Sequence, residues 1–322
     1  MTLHRIGSTR RRGAGVLVVG AVLALALGLG GNAVAAPAGS HSPAQPIAAA
    51  NSGPGQGWAQ RMVPGAPVTP PPARKAQPAA AAQYRQFTAY YGPVTIGPNS
   101  WMNSGVYCPS GMQVTDGGEE NTSSGDISLN NDYALADNSG WQVVVTNFGS
   151  IAETFTVYAV CWSGIANYGP VIAKASVPSG GFNYALANCP SSGQVLGGGG
   201  FMDTIYSSVD SGTVDQSWEF GMQNNDSVTH TVNSQVFCGN DVTNYRAVWG
   251  PGVILGPGQE GSDTAYCPAG TWVVGGGGYP AEAGVFRMTD SLPIYTNQGW
   301  EAFYHNDGSS SDQLFAKVIC GN

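Results

Sequence analysis

Apolar and polar side chains alternate with a period of two at three places in the chain. One phase carries Trp141, Val143 and Val145, then Trp218, Phe220 and Met222, then Trp300, Ala302 and Tyr304. The opposite phase begins with Gln142, Glu219 or Glu301 and ends with Thr146, Gln223 or His305. That period predicts a strand with one buried and one wetted side. Counting back in twos from Cys161, Cys238 and Cys320 gives Ala159, Val157 and Phe155, then Val236, Ser234 and Val232, then Val318, Ala316 and Leu314. A second strand therefore turns its Cys toward the same interior. Between the two lie Asn147-Phe148-Gly149, Asn224-Asn225-Asp226 and Asn306-Asp307-Gly308, residues that tolerate left-handed backbone and predict a hairpin connection.

The recurrence is a repeat, which sets the meaning of every later motif. Trp, Asn and Cys obey W-x5-N-x13-C without an insertion in all three copies. Upstream, Tyr91-Gly92-Pro93, Tyr168-Gly169-Pro170 and Trp249-Gly250-Pro251 open the copies and lead to Cys108-Pro109, Cys189-Pro190 and Cys267-Pro268. A Gly-rich run follows each: Val114-Thr115-Asp116-Gly117-Gly118, Val195 to Gly200, and Val273 to Gly278. The copies occupy residues 88–163, 165–239 and 244–322 of a β domain spanning 84–322, each with four or five short antiparallel strands. The connections Ser163 to Asn167 and Asn240 to Asn244 are short, which favours one compact body over three tandem sandwiches.

Six Cys, two at the same places in each copy, read as disulfides Cys108–Cys161, Cys189–Cys238 and Cys267–Cys320. Six half-cystines allow 15 connectivities, and the repeat selects this one. Closing loops of about 50 residues stabilises each unit by roughly 4 kcal/mol in the chain-entropy model. No CxxC or Cys/His cluster suggests metal ligation or redox thiols.

Composition divides the chain. All 20 Asp and Glu follow residue 83, with only five Lys and Arg among them, so the β domain is strongly acidic. Nothing in it could neutralise a row of phosphates, which excludes a nucleic-acid reader. With 47 Gly and 10% aromatic residues, the chain suits short strands and tight turns. Residues 1–36 read as a secretory signal peptide: Arg5, Arg10, Arg11 and Arg12, an apolar run from Val16 to Leu29, and the cleavage pattern Ala33-Val34-Ala35. No later segment is apolar enough to span a bilayer, so no membrane span is expected in the mature chain, and a secreted, extracellular location is. Residues 37–83 are rich in Pro, Ala, Gly and Gln, the composition of a disordered linker. One island, with Trp58, Arg61, Met62 and Val63, is a candidate docking peptide for a partner protein.

The pseudo-threefold set of small antiparallel units resembles the β-prism layout of the vitelline membrane outer layer protein and of jacalin-like lectins. The chain is also similar to secreted actinobacterial repeat proteins with a C-P-x-G-x-x-V-x-G-G-G run, a later G-W strand and a closing Cys. Here those elements are Cys267-Pro268-Ala269-Gly270, Val273 to Gly277, Gly299-Trp300 and Cys320. The resemblance covers about residues 88–322 and implies an all-β, exported protein.

Catalytic chemistry finds little to stand on. The β domain holds only His230 and His305 as bases, at positions the repeat does not share, and no nucleophile elbow, zinc-protease pair or phosphate loop. The carboxylate pairs Glu119-Glu120 and Asp203 with Glu219 could be nominated for a glycosidase, but so many acids make such pairs arise by chance. The jacalin-type G-x-x-x-D loop fits Gly199 to Asp203 and Gly308 to Asp312, a match that carries little in so Gly-rich a chain. Asp116, Glu119 and Glu120 surround the place where the other copies have glycines; at a turn they would form a solvated acidic loop or hold Ca2+. Tyr206, Tyr279 and Tyr295 are candidates for stacking on sugars. The expectation is a non-enzymatic, lectin-like module without cofactor, which engages a glycan or cell-envelope surface through its loops. The alternative is an extracellular adaptor whose N-terminal segment docks into a protein partner.

Overall fold

A computed structural model describes residues 86–122, 126–203, 208–214, 216–281, 286–294 and 298–322. The signal peptide, the linker and the candidate peptide Trp58, Arg61, Met62 and Val63 lie outside the described residues, as do Tyr206 and Tyr295. The rest is all-β. The first copy forms β1 (Gln86–Ile96), β2 (Ser100–Tyr107), β3 (Gln113–Asn121), β4 (Ile127–Ala134), β5 (Gly140–Asn147) and β6 (Glu153–Trp162). The second forms β7 (Ala166–Val177), β8 (Phe182–Asn188), β9 (Gln194–Met202), β10 (Ser208–Val214), β11 (Ser217–Gln223) and β12 (His230–Asn240). In the third, the opening strand is broken into β13 (Arg246–Trp249) and β14 (Val253–Leu255). It continues through β15 (Glu260–Tyr266), β16 (Trp272–Pro280), β17 (Phe286–Ile294), β18 (Gly299–Asn306) and β19 (Asp312–Gly321). Each copy thus has six strand positions rather than four or five.

Three antiparallel sheets result, and none belongs to one copy. The orders are β1-β6-β3-β17-β18-β15 (sheet I), β2-β5-β4-β9-β12-β7 (sheet II) and β13-β19-β16-β10-β11-β8, with β14 also on β19 (sheet III). Every copy therefore splits: its first, third and sixth strands make half of one sheet, and its second, fourth and fifth strands complete another. The halves meet at single ladder pairs, Ser291 with Glu119, Asp132 with Gly200 and Ser211 with Gly278. The disulfides form as expected, Cys108–Cys161, Cys189–Cys238 and Cys267–Cys320. Each ties the end of a copy's second strand to its sixth strand in a different sheet, so it holds together the two parts that the fold separates.

The interior follows the alternation. Trp141, Trp218 and Trp300 are fully buried, with Val143, Val145, Phe220, Met222, Ala302 and Tyr304 beneath them. The Gly-rich runs are strands β3, β9 and β16, and their small size is spatial. A Cβ on Gly117, Gly198 or Gly276 would lie 2.3, 2.5 or 2.4 Å from the Trp of its own copy, and one on Gly118, Gly199 or Gly277 would strike a carbonyl of the neighbouring copy. Side chains there would hold the sheets apart. A bulge opens each run's pairing with its neighbouring sixth strand. An aromatic donor from another copy caps the freed carbonyl: Tyr168 OH on Val114, Tyr245 OH on Val195 at 2.8 Å, and Trp162 Nε1 on Val273 at 3.0 Å.

Two sequence expectations need correction. The Asn-containing connections are not hairpins, because β5 pairs with β2 and β4 while β6 pairs with β1 and β3. They are arches between sheets, and none of their residues has positive φ. Asn147, Asn224 and Asn306 act through their amides instead. Each Oδ1 accepts the N–H two residues on (2.7, 3.0 and 2.8 Å), and each Nδ2 donates to the carbonyl four residues on (2.8, 2.7 and 2.9 Å). Second, Tyr168-Gly169-Pro170 is not equivalent to its two namesakes. It sits opposite Phe237 and Cys238 at the start of β7, whereas Tyr91 faces Val157 and Trp249 faces Lys317, further from the closing Cys. The true counterpart of Tyr168 is Tyr245, which follows a left-handed Asn244 as Tyr168 follows Asn167.

Candidate functional site

The acidic run of the first copy is not a turn but the interior of β3, where alternation puts Glu119 on one face and Asp116 and Glu120 on the other. Asp116 and Glu119 are fully buried and Glu120 is exposed. Asp116 lies where the three copies converge, between Gly197 and Gly275, whose added Cβ atoms would come within 2.5 and 2.4 Å of it. Its Oδ1 accepts the N–H of Gly117 at 2.7 Å and its Oδ2 that of Gly276 at 2.7 Å, and the N–H of Gly198 joins them. One carboxylate thus gathers the equivalent N–H from all three copies. Burial pushes its pKa upward and the three donors pull it back. Glu119 takes the position of Gly200 and Gly278, where an added Cβ would meet Phe220 and Tyr304, and its own copy has the smaller Val143 and Val145 at the places of those two rings. Burial raises its pKa, reinforced by Asp290, Glu120 and Asp132, with the Asn121 side chain alone opposing them.

Glu120 instead joins residues of the third copy across the β3–β17 seam. Glu301 and Phe303 alternate with the buried Trp300, Ala302 and Tyr304 and so stand on the outer face of sheet I. Register places Leu292 beside Glu301 and Asp290 beside Phe303 on one flank, and Ser262 beside Phe303 on the other. Glu120, Asp290, Leu292, Glu301 and Phe303, together with Asn121, Glu260 and Gly261, line a cleft of about 360 Å3. Four carboxylates surround a Phe ring and a Leu, and no Lys or Arg lines the cleft. Tyr158 OH donates to Glu120 Oε2 at 2.6 Å, Ser262 Oγ to Glu301 Oε1 at 2.7 Å, and the Asn121 N–H to Asp290 Oδ1 at 2.6 Å. These bonds orient the carboxylates and leave further lone pairs toward the cleft. Burial, with the nearby charges of Glu260 and Glu120, pushes Asp290 up to about 8 against the pull of the Asn121 N–H. The Tyr158 hydroxyl is likewise raised, by burial and by Glu120.

The same positions on the other two sheets carry different chemistry. On sheet II, Phe201, Asn131 and Gln142 replace Glu120, Asp290 and Glu301, and Phe201 packs on Tyr133 at 5.0 Å. On sheet III the position of Glu120 is Tyr279, half-buried, its hydroxyl 3.5 Å from Glu219 and its ring edge-on to Trp249 at 6.1 Å. Lys317 Nζ lies 4.3 Å over that Trp249 ring and donates to the Thr213 carbonyl. Glu219 and Thr146, expected on a wetted side, are buried, Glu219 with the Tyr279 hydroxyl 3.5 Å away and Thr146 with its hydroxyl donating to Asn130 Oδ1 at 2.6 Å.

The remaining chemical candidates disperse. Glu119 and Glu120 lie on opposite faces of one strand, and Asp203 is held by His230 and Thr231, apart from Glu219 on sheet III. His230 sits between Asp203 at 2.9 Å and Asp226 at 2.5 Å, and His305 meets Asp307 at 2.6 Å. Gly199 to Met202 belongs to strand β9 and is no sugar loop. Among the described residues, no three His, Cys, Asp or Glu come together as metal ligands would, and no helix is long and apolar enough to cross a membrane. Asp290, Glu260 and Phe303 were not singled out from sequence, since only pairing between the first and third copies brings them beside Glu120. No protein-family model matches this chain, and no curated protein matches it.

Proposed function

We propose that the protein is a secreted, non-catalytic, lectin-like module that engages a glycan or cell-envelope surface. The observation that carries this reading is the sheet I cleft, where oriented carboxylates flank Phe303 and Leu292. Carboxylates accept hydrogen bonds from neighbouring hydroxyls of a sugar, and an aromatic ring covers its apolar C–H face. With four acids and no base in its lining, the cleft favours neutral or amine-bearing glycans and repels sulfated or uronic ones. The ligand surface is then a sheet face rather than loop tips. Three disulfides fit an oxidising, extracellular setting, in keeping with the leader at residues 1–36. The likeness to β-prism lectins supports the layout and, by analogy only, the activity.

The test is a glycan array followed by calorimetry. Binding of a neutral or amino glycan should weaken at least about tenfold in Glu301→Gln and in Phe303→Ala, each change removing one or more contacts worth about 1.4 kcal/mol, and should survive deletion of residues 37–83. Unchanged affinity in both variants removes the cleft from the account. Loss of binding on deleting the segment with Trp58 favours the adaptor reading instead.

A further inference from the structure

Two of the three seams between copies join copies adjacent in sequence, β4 with β9 and β10 with β16. The third, β3 with β17, joins the first copy to the last and so closes the ring. It rests on one ladder pair, Ser291 with Glu119, and two bonds made by Asn121, whose N–H donates to the Asp290 carboxyl and whose Nδ2 donates to the Thr289 carbonyl at 3.0 Å. We propose that this ring-closing seam is a pH-gated joint, shut in acid and loosened as the medium becomes alkaline.

The pseudo-symmetry supplies the comparison. The position of Asp290 is Asn131 in the β4–β9 seam, where its Oδ1 accepts the equivalent N–H, that of Met202, at 2.9 Å. The same clamp is therefore built once with a group that can ionise and once with one that cannot. Around the ionisable clamp every nearby charge of the cleft is negative. Glu120 and Glu119 come from β3, Glu260 from β15 and Glu301 from β18, with Asp132 of β4 near Glu119 and Asp116 of β3 near Asp132. The cations at the next rung are turned away, since Arg287 and His305 both bind Asp307, at 3.1 and 2.6 Å. The Tyr158 hydroxyl on β6 donates to Glu120. The β4–β9 seam has Gln142 and Phe201 at the places of Glu301 and Glu120, and the β10–β16 seam has Lys317 and Tyr279 beside Glu219.

Ionising Asp290 therefore places a charge beside Glu119 and among Glu120, Glu260 and Glu301, in a site that is 6% exposed, with the Asn121 N–H to answer it. The sign follows from the direction of the shift. Asp290 is raised to about 8, and Glu119 is raised in the same sense. The folded value of Asp290 lies above its unfolded one near 4, so it contributes stability that is whole below about pH 4 and is lost as pH rises through about 8, and Glu119 acts in the same direction. The β body should be most stable in acid, the reverse of a protein held by salt-bridged carboxylates.

The test is amide hydrogen exchange on the full chain from pH 5 to 9, with protection factors corrected for the intrinsic pH dependence. The Asn121 N–H should lose at least about tenfold of its protection between pH 6 and 9, while Met202 keeps its own. Asp290→Asn, which copies the residue at 131, should abolish the difference and flatten the fall in melting temperature over the same range. Equal pH responses at Asn121 and Met202, or a wild-type profile in the Asn variant, overturns the proposal. If the variant fails to fold, the comparison of the two amides in the wild-type protein decides alone.

Discussion

Asp116 shows how a residue that looks like a surface acid can be a structural hub. Its sister copies have Gly197 and Gly275, so a consensus argument would replace it by Gly. The geometry predicts the opposite: Asp116→Gly leaves the N–H groups of Gly117, Gly198 and Gly276 buried without an acceptor. The expected cost is about 3 kcal/mol or more, read as a lower midpoint in urea unfolding. A neutral or stabilising result would show that the three copies do not converge on this carboxylate. Such a role was not legible in the sequence, because an acid in a Gly-rich run reads equally as turn, ligand or core. What was legible is the phase of the strands: Trp141, Trp218 and Trp300 announced the buried side, and Glu301 the outer one, since alternation follows directly from the pleat.

At the scale of elements, the fold reuses one Asn three times. Asn224 has its amide donating to Val228 and Val177 and its oxygen accepting from Asp226, and the side chain is fully buried. Asn224→Ala removes all three bonds and strands their partners, with an expected loss of about 2–4 kcal/mol measurable by calorimetry or denaturant. Asn224→Gly should not rescue it, since the backbone there is not left-handed. The sequence pointed to these Asn for the wrong reason. Asn followed by Gly or Asp suggests a hairpin, but period-two patterning tells only which face a strand buries, not which strand lies beside it. Two strands facing each other across a core and two side by side carry the same alternation. The same ambiguity conceals the counterpart of Tyr168, because the shared Tyr-Gly-Pro string suggests an alignment with Tyr91 where the ladder places Tyr168 nearer the closing Cys.

At the scale of the molecule, splitting every copy between two sheets makes the three interdependent. The repeat, the six half-cystines and the short connectors made a joined body readable from sequence. The exchange itself was not, and with it the cleft, which needs Glu120 from the first copy and Glu260, Asp290, Glu301 and Phe303 from the third. The fold repeats while the outer faces diverge, from acidic on sheet I through amide-bearing on sheet II to aromatic on sheet III. Backbone pairing and an inward Trp impose the symmetry, whereas the outward phase is free to differ.

Placing a specific protease site between Asn240 and Tyr245, in the connector of the second and third copies, tests the exchange most directly. No disulfide crosses that point, so after cleavage the pieces are held only by strand pairing and core packing. The cut chain should elute from a sizing column as one species at its uncut size and separate only in denaturant. Elution of the third copy alone, with its β-sheet signal intact, would contradict the account.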